Sequence, residues 1–184
     1  TPVALRKEFT DDPVAPGGTV TLDFTVENFD RDFPATDVAF TDDLTSLAPV
    51  LPGLIFDSVL ADDCGGTVTG IGGTAISLTG GTIGPRGSCT LSTMLSVPGG
   101  AVPGAYLNST STLTATVDGS PVVGNEAKDA LFVEPAPIFT KEFIDDPTTG
   151  GGTVTLRFTI TNTDPASPLT GIEFSDDIGG AADG

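Results

Sequence analysis

Residues 16–26 read PGGTVTLDFTV, and this stretch decides the fold. The Pro-Gly-Gly at its start favours a turn. After the turn, apolar side chains occupy every second position: Val20, Leu22, Phe24 and Val26. Because successive side chains of a β-strand point to opposite faces, this alternation predicts a strand with one face in a core.

The same alternation recurs along the chain and predicts seven further strands. They cover residues 3–9, 38–43, 54–60, 74–78, 89–97, 105–117 and 127–133. Glycine or proline lies between most of them, and no stretch keeps a helical period without one of these residues. Eight or so short strands over about 135 residues predict an all-β fold, an immunoglobulin-like antiparallel β-sandwich.

The sequence also contains an internal repeat with an offset of 134 residues. The tripeptide Lys7-Glu8-Phe9 recurs as Lys141-Glu142-Phe143. Residues 5–44 match residues 139–178 at 21 of 40 positions without a gap. Such self-similarity at a fixed offset is typical of a duplicated structural module, so we predict a tandem repeat.

The two copies are joined by residues 133–137, Val-Glu-Pro-Ala-Pro, whose two prolines stiffen the connection. We divide the chain into a complete β-sandwich repeat, residues 1–134, and the N-terminal part of a second copy, residues 135–184. The three strands expected in the second copy cannot close a sandwich by themselves. A window on a longer tandem array is the favoured explanation, and completion of the partial module by a strand of another chain is the alternative.

Charge and composition argue against several classes of function. Twenty-five acidic residues against seven basic ones give a net charge of −18, which repels nucleic acid and anionic membranes. The chain has no histidine, so it cannot form a Ser-His-Asp or Cys-His catalytic device. An enzyme would need a carboxylate pair such as Asp42 and Asp62 in one cleft, which no pattern supports. No apolar run approaches the ~20 residues of a membrane-spanning helix.

The two cysteines, Cys64 and Cys89, predict one disulfide, since nothing near them has the spacing of a zinc site. Disulfides persist outside the cytoplasm, so we expect an extracellular or cell-surface protein. Two buried free thiols are the alternative interpretation.

Five Asp-Asp pairs are the candidate metal ligands of the sequence. The three pairs of the first copy consist of Asp11, Asp12, Asp42, Asp43, Asp62 and Asp63. Carboxylates in turns suit Ca²⁺, which is the one cofactor that the sequence suggests. None of the pairs has the spacing of an EF-hand loop. The alternative is that these aspartates hydrogen-bond to the backbone of turns.

One lysine lies on the apolar face of a predicted strand. Lys7 falls between Leu5 and Phe9, and burial would lower its pKa and make the amine nucleophilic. Asp129, at inward parity on the last strand, and Asn108 are the candidate acceptors of an intramolecular isopeptide crosslink. A snorkelling lysine or a buried ion pair with Asp129 is the alternative.

An ordered set of motifs resembles the DUF11-type conserved repeat of bacterial surface proteins. The motifs include Lys-Glu-Phe (7–9), Asp-Asp-Pro (11–13), Pro-Gly-Gly-Thr-Val-Thr-Leu (16–22), Gly-Ser-Cys-Thr-Leu (87–91) and Gly-Ala-Tyr-Leu-Asn-Ser-Thr (104–110). The resemblance covers the first copy nearly end to end. It implies a secreted or cell-surface sandwich that is repeated in tandem as stalk, adhesin or fibre, and it transfers no catalytic residues.

These observations together predict a non-enzymatic structural module of an extracellular filament or surface stalk. Its expected partners are copies of itself or neighbouring repeats, which would meet through strand edges. The alternative is an adhesin-type binding module that recognises a glycan or protein through its loops. Exposed aromatic side chains would favour that alternative, yet the chain has one tyrosine and no tryptophan.

Overall fold

The computed structural model describes residues 1–145, 149–164 and 168–178, so Asp146 of one Asp-Asp pair lies outside the described residues. The chain divides into two compact units, Thr1–Pro135 and Ala136–Gly184. The described part of the chain holds no helix that is long and apolar enough to cross a lipid bilayer.

The first unit consists of short antiparallel strands. In chain order they are β1 Val3–Phe9, β2 Thr19–Asn28, β3 Ala35–Asp43, β4 Ile55–Asp62, β5 Thr67–Thr69, β6 Ala75–Ile83, β7 Ser88–Ser96, β8 Gly104–Ser109, β9 Thr114–Val117, β10 Ser120–Val123 and β11 Lys128–Val133. A single 3₁₀ turn, Leu44–Ser46, follows β3.

These strands form two sheets and a two-stranded ribbon. One sheet has the order β1-β2-β7-β4, the other has the order β10-β9-β3-β6-β5, and β8 pairs with β11 in the ribbon. Single bridges tie the ribbon to its surroundings, Thr110 to Asp42 at the end of β3 and Val133 to Val14 after β1. The predicted antiparallel β-sandwich is therefore confirmed.

The core lies between the sheets and follows the alternation seen in the sequence. All four apolar residues of the deciding stretch are buried on one face of β2, and its polar residues point outward. Phe24 of one sheet meets Phe40 of the other with ring centroids 4.9 Å apart. Within the described residues, one cluster of buried apolar side chains forms the core of the first unit.

Three strands differ from the prediction. Residues 105–117 form two strands, since β8 pairs with β11 whereas β9 pairs with β3 and β10, so the chain changes partners between them. The strands β5 and β10 were not predicted. The first has three residues, too few for a visible alternation, and the second contains Pro121 at a sheet edge.

The second unit contains two antiparallel strands within its described residues, β12 Ile138–Phe143 and β13 Leu156–Thr161. They correspond to β1 and β2. The third strand that we expected there is absent from the described residues 168–178. Its counterpart β3 is held by pairing with β6 and β9.

The free edge of β1 is covered by a side chain. Asn125 accepts a hydrogen bond from the Leu5 backbone N–H at 3.0 Å and donates one to the Leu5 carbonyl at 2.8 Å. We expect Asn125→Ala to lower the free energy of unfolding by about 1–3 kcal/mol, because both backbone groups lose their partner. Urea unfolding measures the effect, and the exposed neighbour variant Glu126→Ala is the matched control. Equal midpoints for the two variants would contradict this role of Asn125.

Candidate functional site

A cluster of three polar side chains lies inside the first unit. Lys7 comes from β1, Asp42 from β3 and Asn108 from β8. Each occupies an inward position of its strand, as shown by the alternating burial along all three segments. Strand periodicity thus brings one residue from each sheet and one from the ribbon to the same point.

The lysine amine contacts both other members of the cluster. Lys7 Nζ donates hydrogen bonds to Asp42 Oδ2 and to Asn108 Oδ1. Asn108 Nδ2 donates to the backbone carbonyl of Asp43 at 3.3 Å, which orients the carboxamide so that its oxygen points towards the amine. Residue exposure is 7% for Lys7 and 0% for both Asp42 and Asn108.

Aromatic rings line the apolar side of the amine. Lys7 Nζ lies 5.4 Å from the centroid of the Phe9 ring and 5.6 Å from that of the Phe24 ring. The side chains of Lys7 and Asp42 have no solvent-accessible surface. The amine is therefore held in a dry site, where charged forms are costly.

Burial changes the protonation of this pair. Desolvation lowers the pKa of Lys7, and the nearby charge of Asp42 opposes that shift. Desolvation raises the pKa of Asp42, and the charge of Lys7 opposes that shift in turn. Two groups coupled this closely titrate as a pair, and burial favours the arrangement in which the carboxyl holds the proton and the amine is neutral. Asp42 Oδ1 is buried without a hydrogen-bond partner among the described residues.

Sequence reasoning found two of the three members. Lys7 and Asn108, proposed as a crosslink, are in contact. Asp129, the other proposed acceptor, makes its hydrogen bond elsewhere, because its Oδ2 accepts the backbone N–H of Phe9 at 2.7 Å. Asp42 takes the place beside the lysine, although the sequence suggested it as a calcium ligand. The sequence signal for the inward position of Asp42 is its spacing from Phe40: the two residues are two positions apart on β3, so both side chains point to the core.

The other five aspartates of the first-copy pairs accept hydrogen bonds from backbone N–H groups. The donors are Thr21 for Asp11, Phe132 for Asp12, Thr45 for Asp43, Cys64 for Asp62 and Thr90 for Asp63. This is the alternative role, in which aspartates hold turns and strand edges. Among the described residues, the one group of three potential metal ligands is Asp63 with Cys64 and Cys89, and both sulfurs are in the disulfide. The calcium sites stay a prediction.

The predicted disulfide joins Cys64 to Cys89. Cys64 follows β4 and Cys89 lies in β7, and both residues are buried. The bond closes a loop with a sequence separation of 25 residues. It therefore ties the segment after β4 to β7.

The second unit repeats the lysine and the aspartate. Lys141 Nζ lies 2.7 Å from Asp176 Oδ1, and the sequence separation of 35 equals that of Lys7 and Asp42. This pair is accessible to solvent, since its side chains are 39% and 24% exposed. Solvent screens an ion pair between accessible side chains, whereas the pair of the first unit is dry.

Comparison with known proteins identifies the fold and a family of unknown function. A family model described as "Domain of unknown function (DUF7933)" matches residues 2–133 and again residues 137–181. No curated protein matches the chain significantly.

Solved structures of similar fold include two cohesins and a pilin. A non-cellulosomal cohesin from the hyperthermophilic archaeon Archaeoglobus fulgidus has a TM-score of 0.53 and 12% identity, with 73% of this chain and 92% of the cohesin covered. The full-length major pilin SpaD from Corynebacterium diphtheriae has a TM-score of 0.53 and 12% identity, with 71% of this chain and 34% of the pilin covered. A cohesin module from a Clostridium perfringens family 33 glycoside hydrolase has a TM-score of 0.50 and 12% identity, with 74% of this chain and 99% of the module covered. At this identity the likeness shows the fold alone, an immunoglobulin-like β-sandwich.

Proposed function

We propose that this chain, which belongs to the DUF7933 family, is a non-enzymatic structural module of an extracellular filament or cell-surface stalk built from tandem repeats. The observation that carries the proposal is the duplication. The family model matches two consecutive segments, and the Lys7–Asp42 pair of the first recurs as Lys141–Asp176 in the second. Tandem repetition of a module is a common way to build an elongated protein.

Further features support this proposal. The disulfide between Cys64 and Cys89 favours an oxidising compartment outside the cytoplasm. Part of the major pilin SpaD from Corynebacterium diphtheriae shares this fold. The net charge of −18 keeps a long polymer soluble. The resemblance to DUF11-type surface repeats points the same way, although the family that matches is DUF7933.

The second candidate function is a binding module, and one groove favours it. Phe29, Arg31 and Arg86 line this groove next to the end of β2, and the Phe29 side chain is largely exposed. Aromatic and arginine side chains dominate the energetics of binding sites, and paired arginines suit a carboxylate-bearing glycan or peptide. The cohesins share only the fold with this unit, so they do not indicate which ligand the groove would bind.

Electron microscopy of the native material tests the structural function. An antibody against the first unit, with gold-labelled detection, should decorate filaments or stalks at regular intervals on intact source cells. The denatured mass of the isolated material then separates one long chain of repeats from assembled short subunits. Dispersed monomers would contradict the filament role and favour the groove at Arg86 as the functional surface.

A further inference from the structure

The cluster at the centre of the first unit contains the parts of a self-modification reaction. An amine, a carboxamide and a carboxylic acid are in contact in a dry interior, and no other described feature of the unit uses them. We propose that the folded first unit joins Lys7 to Asn108 by an intramolecular isopeptide bond, with Asp42 as the acid–base group. The bond is a property of the single unit, so it does not depend on the proposed filament role.

The reaction is a transamidation without any external reactant. The neutral amine of Lys7 attacks Cγ of Asn108, so an Nζ–Cγ bond forms and the Cγ–Nδ2 bond breaks. Asp42 gives its carboxylic proton to the departing nitrogen and takes one proton from Nζ. Ammonia leaves, Asp42 ends in the state in which it began, and one amide replaces another. No oxidation or reduction takes place, and no cofactor is required.

The geometry supplies the two conditions that this step needs. Folding holds the amine against the carboxamide, and this contact replaces a bimolecular encounter by an intramolecular one. The hydrogen bond from Asn108 Nδ2 to the Asp43 carbonyl fixes the orientation of the amide. The rings of Phe9 and Phe24 close the site on the side of Nζ, which keeps the amine unsolvated and nucleophilic.

A simple buried ion pair accounts for fewer of the observations. A carboxylate held only to neutralise Lys7 should have both oxygens hydrogen-bonded, because a buried charge is stable only when its polar atoms have hydrogen-bond partners. Asp42 Oδ1 has no partner among the described residues. The contact of the amine with Asn108 Oδ1 fits both interpretations, since a buried ammonium also needs further acceptors. An acid that exchanges protons with the adjacent amide accounts in addition for the oxygen of Asp42 that has no hydrogen-bond partner in the described part of the chain.

The second unit provides an internal contrast. Lys141 pairs with Asp176 as Lys7 pairs with Asp42, but both side chains are accessible to solvent. The proposed step needs an amine held in a dry site, as Lys7 is and Lys141 is not. We therefore expect one crosslink in this chain, and we expect Lys141 to retain a free amine.

Intact mass spectrometry of the denatured and reduced 184-residue chain measures the bond directly. Loss of ammonia should make the protein about 17 Da lighter than its sequence. Trypsin should no longer cleave after Lys7, and fragmentation should find the Lys7 peptide attached to the Asn108 peptide. The full sequence mass, or a mass loss with both residues in separate unmodified peptides, would overturn the proposal.

Matched variants assign the roles. Lys7→Met and Asp42→Asn should both show the full sequence mass, with circular dichroism confirming that each is folded. Lys141→Met, the equivalent change in the second unit, should keep the loss of about 17 Da. A loss that persists in Lys7→Met would overturn the proposal, because an asparagine that forms a succinimide also releases ammonia.

The variant Asn108→Asp keeps the test decisive if the other variants unfold. An aspartate at this position is attacked by the same amine and releases water, about 18 Da, in place of ammonia. The crosslinked products of the variant and the wild type are then the same molecule and should have identical masses. Two masses that differ by about 1 Da, as the unreacted sequences do, would show that neither chain is crosslinked.

Discussion

Asp42→Ala is expected to lower the free energy of unfolding of the first unit by about 3–5 kcal/mol through loss of the buried pair, in addition to the effect of losing the crosslink. The substitution leaves the Lys7 amine buried against Phe9 and Phe24 without its acidic partner. Removing one member of a buried pair is costly because the remaining group cannot recover its hydration. Tyr106 provides the readout: it is the only tyrosine of a chain without tryptophan, and it is buried in the first unit.

Two control variants separate the pair from general effects of an aspartate substitution. Asp176→Ala changes the equivalent aspartate of the second unit, where the ion pair is accessible, and should leave the Tyr106 transition unchanged. The double variant Lys7→Met with Asp42→Leu removes both partners together and should recover part of the loss seen in Asp42→Ala. Neither variant of this comparison can form the crosslink. Equal stabilities of Asp42→Ala and the double variant would contradict the electrostatic explanation.

The alternation in the sequence was sufficient to predict the sandwich and the direction of Lys7. Along β2 and β1, every second residue is buried, so local parity alone determines which side chains enter the core. The same parity places Asn108 inside, next to Tyr106 on the same face of β8. Predictions that depend on one strand at a time were therefore reliable here.

The role of Asp42 could not be read in the same way. The predicted strand 38–43 includes both aspartates, which point to opposite faces, but the sequence does not show that Asp42 meets Lys7 of another strand. In the structure Asp42 points inward to Lys7, and Asp43 points outward and caps the 3₁₀ turn by accepting the Thr45 N–H. One pair thus contains two different functions, although the repeat shows the pair as a single motif.

Contacts between segments that are distant in the chain could not be predicted from the sequence either. Asp129 has the inward parity that we expected, yet the edge of β1 offers the unpaired N–H of Phe9, and the carboxylate binds there. Pairing partners decide this outcome, and they are about 120 residues away in the chain. For the same reason the break between β8 and β9 was missed, since it reflects a change of partner and not a change of composition.

Reduction of the Cys64–Cys89 disulfide is expected to lower the free energy of unfolding of the first unit by about 3 kcal/mol. The bond closes a loop with a separation of 25 residues, and opening it increases the entropy of the unfolded chain. Guanidinium unfolding followed by Tyr106 fluorescence, with and without reductant, measures the change. The double variant Cys64→Ala with Cys89→Ala is the control and should not respond to reductant. An unchanged midpoint in a wild-type sample whose thiols are shown to be free would contradict the prediction.

The two covalent links should not add their effects in full. The Lys7–Asn108 bond would close a loop with a separation of 101 residues, and the disulfide loop lies entirely within it. An unfolded chain that is already restricted by the outer link has less entropy to gain when the inner one opens. We therefore expect reduction to destabilise the Asp42→Asn variant, which lacks the outer link, by more than it destabilises the wild type. From the logarithmic dependence on loop length the difference is about 0.3 kcal/mol, and a larger effect of reductant on the wild type than on the variant would contradict it.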